Sequence, residues 1–405
     1  VKNLHQILTR YPDDKLVLVF SAMGKTTNAL EKLLQASRAE QTDLKISLLE
    51  QLEAFHFDIA AELFSTETIR PLSEKLESLF EQLKTDLNRI ELEYDRHYDA
   101  TVSYGELLSA EIISYYLVQQ GLSAKLIDAR EIILTDDCFR AANINWQKSC
   151  ESIQKMAAAN SDIHFLITQG FIGGTLKGET TTLGREGSDF TAAIMAYCMG
   201  AVEVIIWKDV PGLLNADPKR LAHTEKIDHI SYAEAIELAY YGATVIHPKT
   251  IKPLQNSKIS LKVQSFLNPE LPPSLIDYAG ESIKPKPSFI IKDQQVLMSI
   301  SARDFSFMNE DILHKLFGYF AETRIHINVM QTSALSLSVC FDEDSQKLES
   351  LIKGLEAEFS IRYNSRLTLF TVRHYNQKLA DAISSHAVLL EQRSRTTLQL
   401  VVKSL

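Results

Sequence analysis

Apolar positions along this chain follow two patterns that alternate with each other. Continuous apolar runs, typical of parallel strands buried on both faces, lie at 15–20, 124–128, 163–167 and 201–207, and residues 259–266 alternate like a strand. Apolar residues spaced three or four apart predict helices at 28–92 (with one break near Thr68–Pro71), 105–119 and 231–241. Strands that alternate with helices indicate a mostly parallel sheet covered on both faces, a three-layer α/β sandwich.

The composition changes after residue 268. Five of the eleven prolines lie between Pro269 and Pro287, and we interpret this stretch as a linker. Beyond it the pattern predicts a ferredoxin-like βαββαβ unit, with strand 296–301, helix 310–321, strands 326–330 and 335–341, helix 346–359 and strand 361–364. An incomplete second copy is predicted as strand 367–372, helix 376–384 and strands 387–392 and 396–402, with residues 288–292 supplying a missing strand. The sequence thus divides into residues 1–284 and 285–405.

Composition and charge exclude several classes of protein. The net charge of −10 comes without a polybasic block, so a nucleic-acid partner has no support. No apolar run approaches the roughly 20 residues that a membrane helix needs. The four cysteines (Cys138, Cys150, Cys198 and Cys340) form no CxxC pair and are interpreted as reduced intracellular thiols. We therefore expect a cytoplasmic protein without a membrane anchor.

The richest candidate chemistry lies between Ile163 and Asp189. A buried strand ends there in a stretch with six of the fifteen glycines, and a helix is predicted from Phe190 to Cys198. Strand, glycine loop and helix N-terminus together favour anion binding, because free N–H groups converge and the helix dipole adds positive potential. Arg185 offers a planar fork for a carboxylate. Ser188 or Asp189 is the expected N-cap, and by itself Asp189 is interpreted as a cap.

A second glycine segment, SAMGKTT at 21–27, stands between a strand and a helix. A P-loop needs another glycine five residues before Gly24, where this chain has Val19. Two alternatives are left open. Ser21, Gly24, Thr26 and Thr27 form a short anion site, or Thr27 or Asn28 caps the next helix.

Three further segments carry charged residues whose ordinary structural roles compete with function. Glu106 opens a helix, where the dipole favours an acid in any case. Lys208–Gly212 and Asn215–Lys219 follow a buried strand, at the edge where α/β sheets bind ligands, but they are also plain turn sequences. Lys249 is expected at the end of a helix, where a lysine needs no functional explanation.

Taken together, the segments SAMGKTTN, SYGE, FIGGT, TTLGREGSD, WKDVPG, NADPK and GATVIHPK resemble the aspartate kinases of the amino acid kinase family. The resemblance spans nearly the whole chain, and the C-terminal repeat resembles the paired ACT domains of those enzymes. It implies ATP- and Mg²⁺-dependent phosphorylation of the side-chain carboxylate of L-aspartate to 4-phospho-L-aspartate, the first step toward lysine, methionine and threonine.

The resemblance also implies a role for individual residues. Arg185 would bind the α-carboxylate and Glu106 the α-ammonium of aspartate, with Thr27 and Ser188 in the same pocket. Asp189 would organise the catalytic centre, and Gly173 and Gly174 would face the transferred phosphoryl group. The residues expected around the nucleotide are Ser21, Gly24, Lys208, Asp209, Asp217, Lys219 and Lys249. No side chain is expected to act as a dedicated metal ligand.

This chain departs from the family pattern at several positions. The family opens with a Lys-Phe-Gly-Gly strand that is not seen here, and we expect an initial piece to be missing. Glu186 and Lys208 stand where many members have glycine and threonine. Leu214 and Lys219 replace a common tyrosine and arginine.

The C-terminal segment INVMQTSA resembles a feedback site, which implies that Asn328, Val329, Thr332 and Ser333 bind lysine or threonine. Asn328 and Ala334 lack the acids of lysine-sensitive members. A purely structural dimerisation module is the alternative, and in either case we expect a homodimer through the ACT domains. The rival functions are another carboxylate kinase of the same family and a non-catalytic amino-acid sensor.

Overall fold

The computed structural model describes residues 1–221, 223–243, 246–376 and 387–403. They form two compact units. The first contains Val1–Lys208, Ile246–Leu271 and Leu275–Tyr278, and the second contains Asp209–Val245, Pro272–Ser274 and Ala279–Leu405. Residues 209–243 are therefore grouped with the C-terminal region, whereas the functional boundary at residue 284 stays a prediction.

A three-stranded parallel sheet lies at the centre of the first unit. Strand β4 (Phe165–Gln169) lies between β1 (Leu16–Phe20) and β2 (Ala124–Ile127), and both neighbours pair with it in parallel. All five residues of β4 are buried. This confirms the strands predicted from the continuous apolar runs.

Eight helices precede β4 along the chain. They are α1 (Lys2–Leu8), α2 (Thr26–Arg38), α3 (Thr42–Leu63), α4 (Arg70–Leu87), α5 (Tyr94–Val102), α6 (Tyr104–Gln119), α7 (Ala129–Ile132) and α8 (Trp146–Ala159). Leu30, Leu33 and Leu34 of α2 are fully buried, and so are Leu72 and Leu76 of α4. Residues 28–92 contain three helices rather than two. The break at 64–69 lies near the one predicted at Thr68–Pro71, whereas the break at 39–41 was not predicted. None of the described helices is both long enough and apolar enough to cross a bilayer.

The rest of the first unit carries the glycine-rich segment. Strand β5 (Ile172–Thr175) pairs with β3 (Leu134–Thr135) and, through a tight hairpin, with β6 (Thr180–Thr182). Helix α9 (Gly187–Met199) follows and leads into β7 (Glu203–Lys208), which pairs in parallel with β9 (Ser260–Ser265). Helix α11 (Pro248–Ser257) precedes β9.

The proline-rich stretch is not a plain linker. It contains strand β10 (Ser274–Asp277), which lies next to β9, and a single 3₁₀ turn at Ala279–Ser282. Prolines between 269 and 273 bound the strand rather than replace it. The linker interpretation is therefore wrong for these residues.

One disulfide corrects the expectation of four reduced thiols. Cys150 in α8 and Cys198 in α9 are bonded, with an S–S distance of 2.09 Å, across 48 residues of sequence. Cys138 and Cys340 are free, the first exposed and the second buried. The bond joins two helices that pack against each other in the first unit.

The second unit is built on a six-stranded antiparallel sheet in the order β12-β13-β11-β14-β16-β15. Its strands are β11 (Ser288–Ala302), β12 (Ile327–Thr332), β13 (Ser336–Asp342), β14 (Phe359–Arg373), β15 (Val388–Arg393) and β16 (Thr397–Lys403). Helices α12 (Glu310–Glu322) and α13 (Ser345–Leu355) complete the predicted βαββαβ unit. Strand β8 (His229–Ser231) and helix α10 (Tyr232–Tyr241) also belong to this unit.

Strands β11 and β14 each run through both copies of the repeat. Each merges two predicted strands, and their register shifts between Lys292 and Leu297. Gln294 and Arg366 adopt left-handed φ angles of 54° and 56° at this irregularity, which is how a β-bulge bends a strand without ending it. The predicted strand at 288–292 is confirmed as part of β11. The predicted helix 376–384 lies almost entirely outside the described residues.

Candidate active site

A cavity of about 430 Å³ opens in the first unit where several parallel strands end. Ser21 follows β1, Phe171 follows β4, and Lys208 is the last residue of β7. The carboxyl ends of parallel strands are where α/β sheets bind ligands. The cavity is lined by Ser21, Ala22, Thr27, Tyr98, Glu106, Arg140, Phe171, Gly184, Arg185, Glu186, Gly187, Ser188, Asp189 and Lys208.

Seven residues singled out from the sequence meet in this cavity although they come from four separate segments. They are Ser21, Thr27, Glu106, Arg185, Ser188, Asp189 and Lys208. Helix α2 begins at Thr26, whose hydroxyl donates to the Met23 carbonyl at 2.7 Å. The alternative in which Thr27 or Asn28 caps this helix is therefore wrong, and Thr27 lies in the first turn on the cavity wall.

Glu106 places a buried carboxyl group in the cavity. Its side chain is 3 % exposed in the first turn of α6. Oε1 accepts a hydrogen bond from the Ala22 amide at 3.2 Å, while Oε2 is buried without a partner. Burial raises the pKa of Glu106 to about 8, and the Ala22 amide offsets only part of this. An unpaired buried carboxyl oxygen is costly unless a ligand completes it, so a cationic ligand group fits here.

Asp189 is not a helix cap. Helix α9 begins at Gly187, and its N-cap is Glu186 in a left-handed conformation with φ of 53°. Asp189 lies inside the first turn, where its Oδ2 accepts from Lys208 Nζ at 2.7 Å. Burial raises the pKa of Asp189, and the Lys208 ammonium counteracts that rise. The prediction of Ser188 or Asp189 as N-cap is wrong because the helix starts two to three residues earlier than predicted.

Glu186 adds a second carboxylate beside Lys208. Its Oε2 is buried without a hydrogen-bond partner, and burial raises its pKa, partly offset by the Lys208 charge and increased by Asp189. The left-handed φ at this position favours glycine. This is a physical reason for the glycine that many members of the family named in the sequence analysis have at this position.

The two glycines expected to face the phosphoryl group lie outside the cavity lining. Gly173 and Gly174 are buried in β5. A Cβ on Gly174 would lie 2.3 Å from the Arg130 carbonyl oxygen, and one on Gly173 would lie 2.8 Å from the Ile133 carbonyl oxygen. Close packing alone therefore explains the absence of side chains, and a catalytic role for these residues stays a prediction. Gly24 also lies outside the lining, with φ of 57° and Phe55 beside it.

Lys249 is found at the start of a helix rather than at the end of one. Helix α11 begins at Pro248, and the Lys249 amide donates to Nδ1 of His247, the N-cap, at 3.1 Å. Its side chain is exposed. Pro248 was the local signal for this helix start, because proline is common at the first position of a helix.

The remaining residues expected near the nucleotide belong to the second unit. Asp209, Asp217 and Lys219 are exposed there. Asp217 Oδ1 accepts from the Lys219 amide at 2.9 Å, which is an ordinary turn bond. Their nucleotide role stays a prediction.

The cavity lining also includes Tyr98, Arg140 and Phe171, which were not among the site residues predicted from the sequence. Arg140 donates its backbone N–H to Asp99 Oδ2 at 2.9 Å, and burial raises the pKa of the fully buried Asp99 to about 6. The FIGGT segment offered a local signal for Phe171. Arg140 and Tyr98 offered none, because their position depends on how separate loops and helices pack.

Among the effector candidates, Asn328 belongs to a closed polar cluster. Its Oδ1 accepts from Lys292 Nζ at 2.9 Å, and its Nδ2 donates to Gln295 at 2.8 Å and to Asp342 at 3.0 Å. Burial would raise the pKa of Asp342, but hydrogen bonds from Gln295 and Asn328 lower it. Val329 is buried, whereas Thr332 and Ser333 are exposed at the end of β12.

The comparisons with known proteins agree with this geometry. The sequence profile of the amino acid kinase family matches residues 1–265. The chain belongs to the amino acid kinase family. Within that family, it is 30 % identical to aspartokinase 1 of Arabidopsis thaliana, a chloroplastic protein, over 88 % of this chain and 64 % of the relative. It is also 30 % identical to lysine-sensitive aspartokinase 3 of Escherichia coli, over 87 % of this chain and 79 % of that enzyme. The chain thus spans less than two thirds of the Arabidopsis relative.

Solved structures give the same assignment of fold. E. coli aspartokinase III in complex with aspartate and ADP, in its R-state, superposes with a TM-score of 0.82 at 26 % identity, covering 96 % of this chain and 89 % of that one. The T-state of that enzyme, in complex with lysine and aspartate, gives a TM-score of 0.76 over the same shares. The α/β sandwich followed by ACT-like units, expected from the resemblance, is confirmed.

Proposed function

We propose that this protein transfers the γ-phosphoryl group of ATP to the side-chain carboxylate of L-aspartate and releases 4-phospho-L-aspartate and ADP. The observation that carries the proposal is the cavity that brings Glu106, Arg185, Asp189 and Lys208 together in one unit. The E. coli relative that binds aspartate and ADP supports the same substrates.

The charges of the cavity suit an acidic amino acid. Glu106 is buried and has an unpaired Oε2, which suits an α-ammonium group. Arg185 is exposed at the loop before α9, where its planar guanidinium suits the α-carboxylate. Thr27 and Ser188 provide hydroxyl groups on the wall between these charges. These four residues are therefore assigned to binding the amino acid, with one charged side chain for each of its oppositely charged groups.

Phosphoryl transfer asks the protein for positioning and for neutralisation of charge. The acceptor carboxylate is ionised at neutral pH, so no general base is needed. Lys208, at the end of β7, provides a cation for the phosphate oxygens, and Asp189 holds that ammonium in place until the nucleotide arrives. The N-terminal turn of α9 adds positive potential beside them.

Mg²⁺ fits this site as an ion carried mainly by the nucleotide. No group of three or more His, Cys, Asp or Glu side chains among the described residues is arranged to hold a metal. The carboxylates of Asp189 and Glu186 are hard oxygen ligands of the kind Mg²⁺ takes, one or two at a time, together with phosphates and water. When bound, the ion would supply charge neutralisation at the phosphates.

We further propose that the second unit is regulatory, that the chain forms a homodimer through it, and that the reaction opens the route to lysine, methionine and threonine. Edge strands β12 and β15 support pairing with a second copy. Lysine or threonine is the proposed effector, although Lys292 already occupies Asn328 Oδ1. A cytoplasmic location stays a prediction.

Hydroxylamine trapping tests the proposed reaction. The protein, expressed with any residues that precede Val1 in its gene, is incubated with Mg-ATP, hydroxylamine and either L-aspartate, L-glutamate or N-acetyl-L-glutamate. We expect hydroxamate with aspartate alone. Hydroxamate from a glutamate derivative would identify a different carboxylate kinase, and amino acid binding without any hydroxamate would identify a sensor. Arg185→Ala should raise the KM for aspartate far more than the KM for ATP.

A further inference from the structure

Arg140 lines the same cavity as Glu106 and Arg185. It lies in the loop between β3 and α8 and has a left-handed φ of 66°. Besides the Arg140 amide, Asp99 accepts from the Thr182 amide at 2.8 Å and from its hydroxyl at 2.7 Å. The buried Asp99 carboxylate therefore fixes the Arg140 backbone to α5 and β6, independently of what the side chain does.

The guanidinium of Arg140 is held in one place by aromatic rings. It lies over the Tyr98 ring at 4.4 Å from the centroid and over the Tyr94 ring at 5.8 Å. Tyr98 is itself fixed, because its hydroxyl donates to Glu31 Oε1 at 2.6 Å. A guanidinium stacked on an aromatic face loses little further freedom when it binds a ligand.

Most donors of this guanidinium are free for a ligand. Nη1 donates to Asp95 Oδ1 at 3.3 Å, and within the described part of the chain Asp95 is the one acceptor bonded to the guanidinium. The side chain remains 47 % exposed. A planar guanidinium has five N–H donors, and such donors pair most strongly with carboxylate oxygens.

A count of charges shows what Arg140 adds to the cavity. An acidic amino acid brings one ammonium and two carboxylates. Glu106 accounts for the ammonium and Arg185 for one of the carboxylates. Lys208 is paired with Asp189. The second carboxylate needs another cation on the cavity wall, and Arg140 is the cation that lines the wall and has no assigned role.

We propose that Arg140 binds the side-chain carboxylate of the amino acid substrate and thereby selects an acidic side chain over its uncharged analogues. This inference rests on the proposed function and adds a specificity residue to it. A single N–H···O bond to one carboxylate oxygen leaves the other oxygen free to attack. That oxygen forms the new bond to the γ-phosphorus, and ADP leaves with the electron pair of the broken bridging bond.

Binding of L-aspartate and L-asparagine to the protein tests this role. The two ligands have nearly the same shape, and asparagine carries a neutral amide in place of the side-chain carboxylate. We expect the Kd ratio of asparagine to aspartate to fall on the order of 10-fold in Arg140→Gln, toward equal binding. Arg140→Lys should also lose most of the preference, because a flexible ammonium is not held over Tyr98.

Arg89 provides a matched control. Its side chain is 44 % exposed and pairs with Asp86 Oδ1 at 3.2 Å, much as Arg140 pairs with Asp95, but it lies outside the cavity lining. Arg89→Gln should keep the ratio of the unchanged protein. An unchanged ratio in Arg140→Gln overturns the inference while the proposed function stands. If Arg140→Lys keeps the full preference for aspartate over asparagine, charge alone suffices, and the role of a guanidinium held over Tyr98 is overturned. Absence of aspartate binding by the unchanged protein overturns both.

Discussion

Lys208 Nζ donates to Asp189 Oδ2 at 2.7 Å and so joins the end of β7 to the first turn of α9. The two side chains are 25 % and 15 % exposed, so water screens their interaction only partly. Burial raises the pKa of Asp189, and the Lys208 ammonium beside it counteracts part of this rise. The pair brings a cation and an anion to the place where phosphate is expected.

Removal of the ammonium should change both activity and its pH dependence. Lys208→Met should lower kcat/KM for ATP on the order of 100-fold, because one cation at the phosphates is lost. The pKa of Asp189 then rises further, so the acid limb of the pH–rate profile should move to higher pH. Lys208→Arg keeps the charge and should preserve the limb. An acid limb that is unmoved in Lys208→Met would contradict the coupling.

Binding of aspartate at neutral pH should release a proton. Burial raises the pKa of Glu106 to about 8, so the free protein holds that carboxyl mostly protonated at pH 7. An ammonium beside it favours the carboxylate, so about one proton should leave on binding. Calorimetric titrations in phosphate and in Tris should give different observed enthalpies. Identical enthalpies in the two buffers would contradict this, and Glu106→Gln should remove the difference.

The same carboxyl group makes stability depend on pH. The pKa of Glu106 is higher in the folded state than in the unfolded chain. Its contribution to the free energy of unfolding is therefore fully present below the unfolded pKa of about 4.5. That contribution is lost as pH rises toward about 8. The free energy of unfolding of Glu106→Gln, measured with urea, should therefore fall less between pH 5 and pH 8 than that of the unchanged protein.

Packing accounts for Gly174 in β5. A Cβ there would lie 2.3 Å from the Arg130 carbonyl oxygen, so Gly174→Ala should cost about 3 kcal/mol of stability in urea unfolding. The control is Gly318 in α12, where a Cβ meets nothing within 4 Å. Gly318→Ala should be neutral or stabilising by about 1 kcal/mol. A Gly174→Ala protein of normal stability that fails in phosphoryl transfer would instead support the role at the phosphoryl group.

The disulfide between α8 and α9 should stabilise the first unit. A bond that closes 48 residues is worth about 4 kcal/mol in the chain-entropy description. Reduction should therefore lower the Tm, and Cys150→Ser should show the lower Tm without reductant. In the denatured but unreduced protein, two of the four cysteines should react with a thiol reagent. As a control, Cys138→Ser should have the same Tm as the unchanged protein. Four reactive thiols in the unreduced protein would contradict the bond.

Much of the fold could be predicted from local sequence because its strands are short, apolar runs. The strands at 15–20 and 163–167 and the helix at 310–321 needed no tertiary information. Other features depend on tertiary context. Pro71 gave a local signal for the break at 64–69. Residues 28–63 contain no proline or glycine, so the position of the break at 39–41 depends on how α2 and α3 pack. The Cys150–Cys198 bond joins residues that are distant in sequence, and spacing gave no signal for it.

The residues of the candidate active site also fall into those with a local sequence signal and those placed by tertiary packing. Arg185, Asp189 and Lys208 belong to segments with strong local signals, a glycine loop and strand ends. The position of Asp189 in α9 was misassigned because Glu186, a residue that rarely adopts left-handed φ, takes the N-cap position. Arg140 enters the cavity through Asp99 and Tyr98, which are both about 40 residues away in sequence, so no local pattern marks it.

The central claim is that the side-chain carboxylate of aspartate receives the phosphoryl group. Borohydride reduction of the reaction product tests it most directly, because an acyl phosphate is reduced to the corresponding alcohol. Incubation with Mg-ATP and L-aspartate, reduction and mass spectrometry against standards should yield homoserine, in an amount that depends on ATP. Reduction to 3-amino-4-hydroxybutanoate, which reports phosphorylation of the α-carboxylate, or the absence of any ATP-dependent alcohol, would contradict the account.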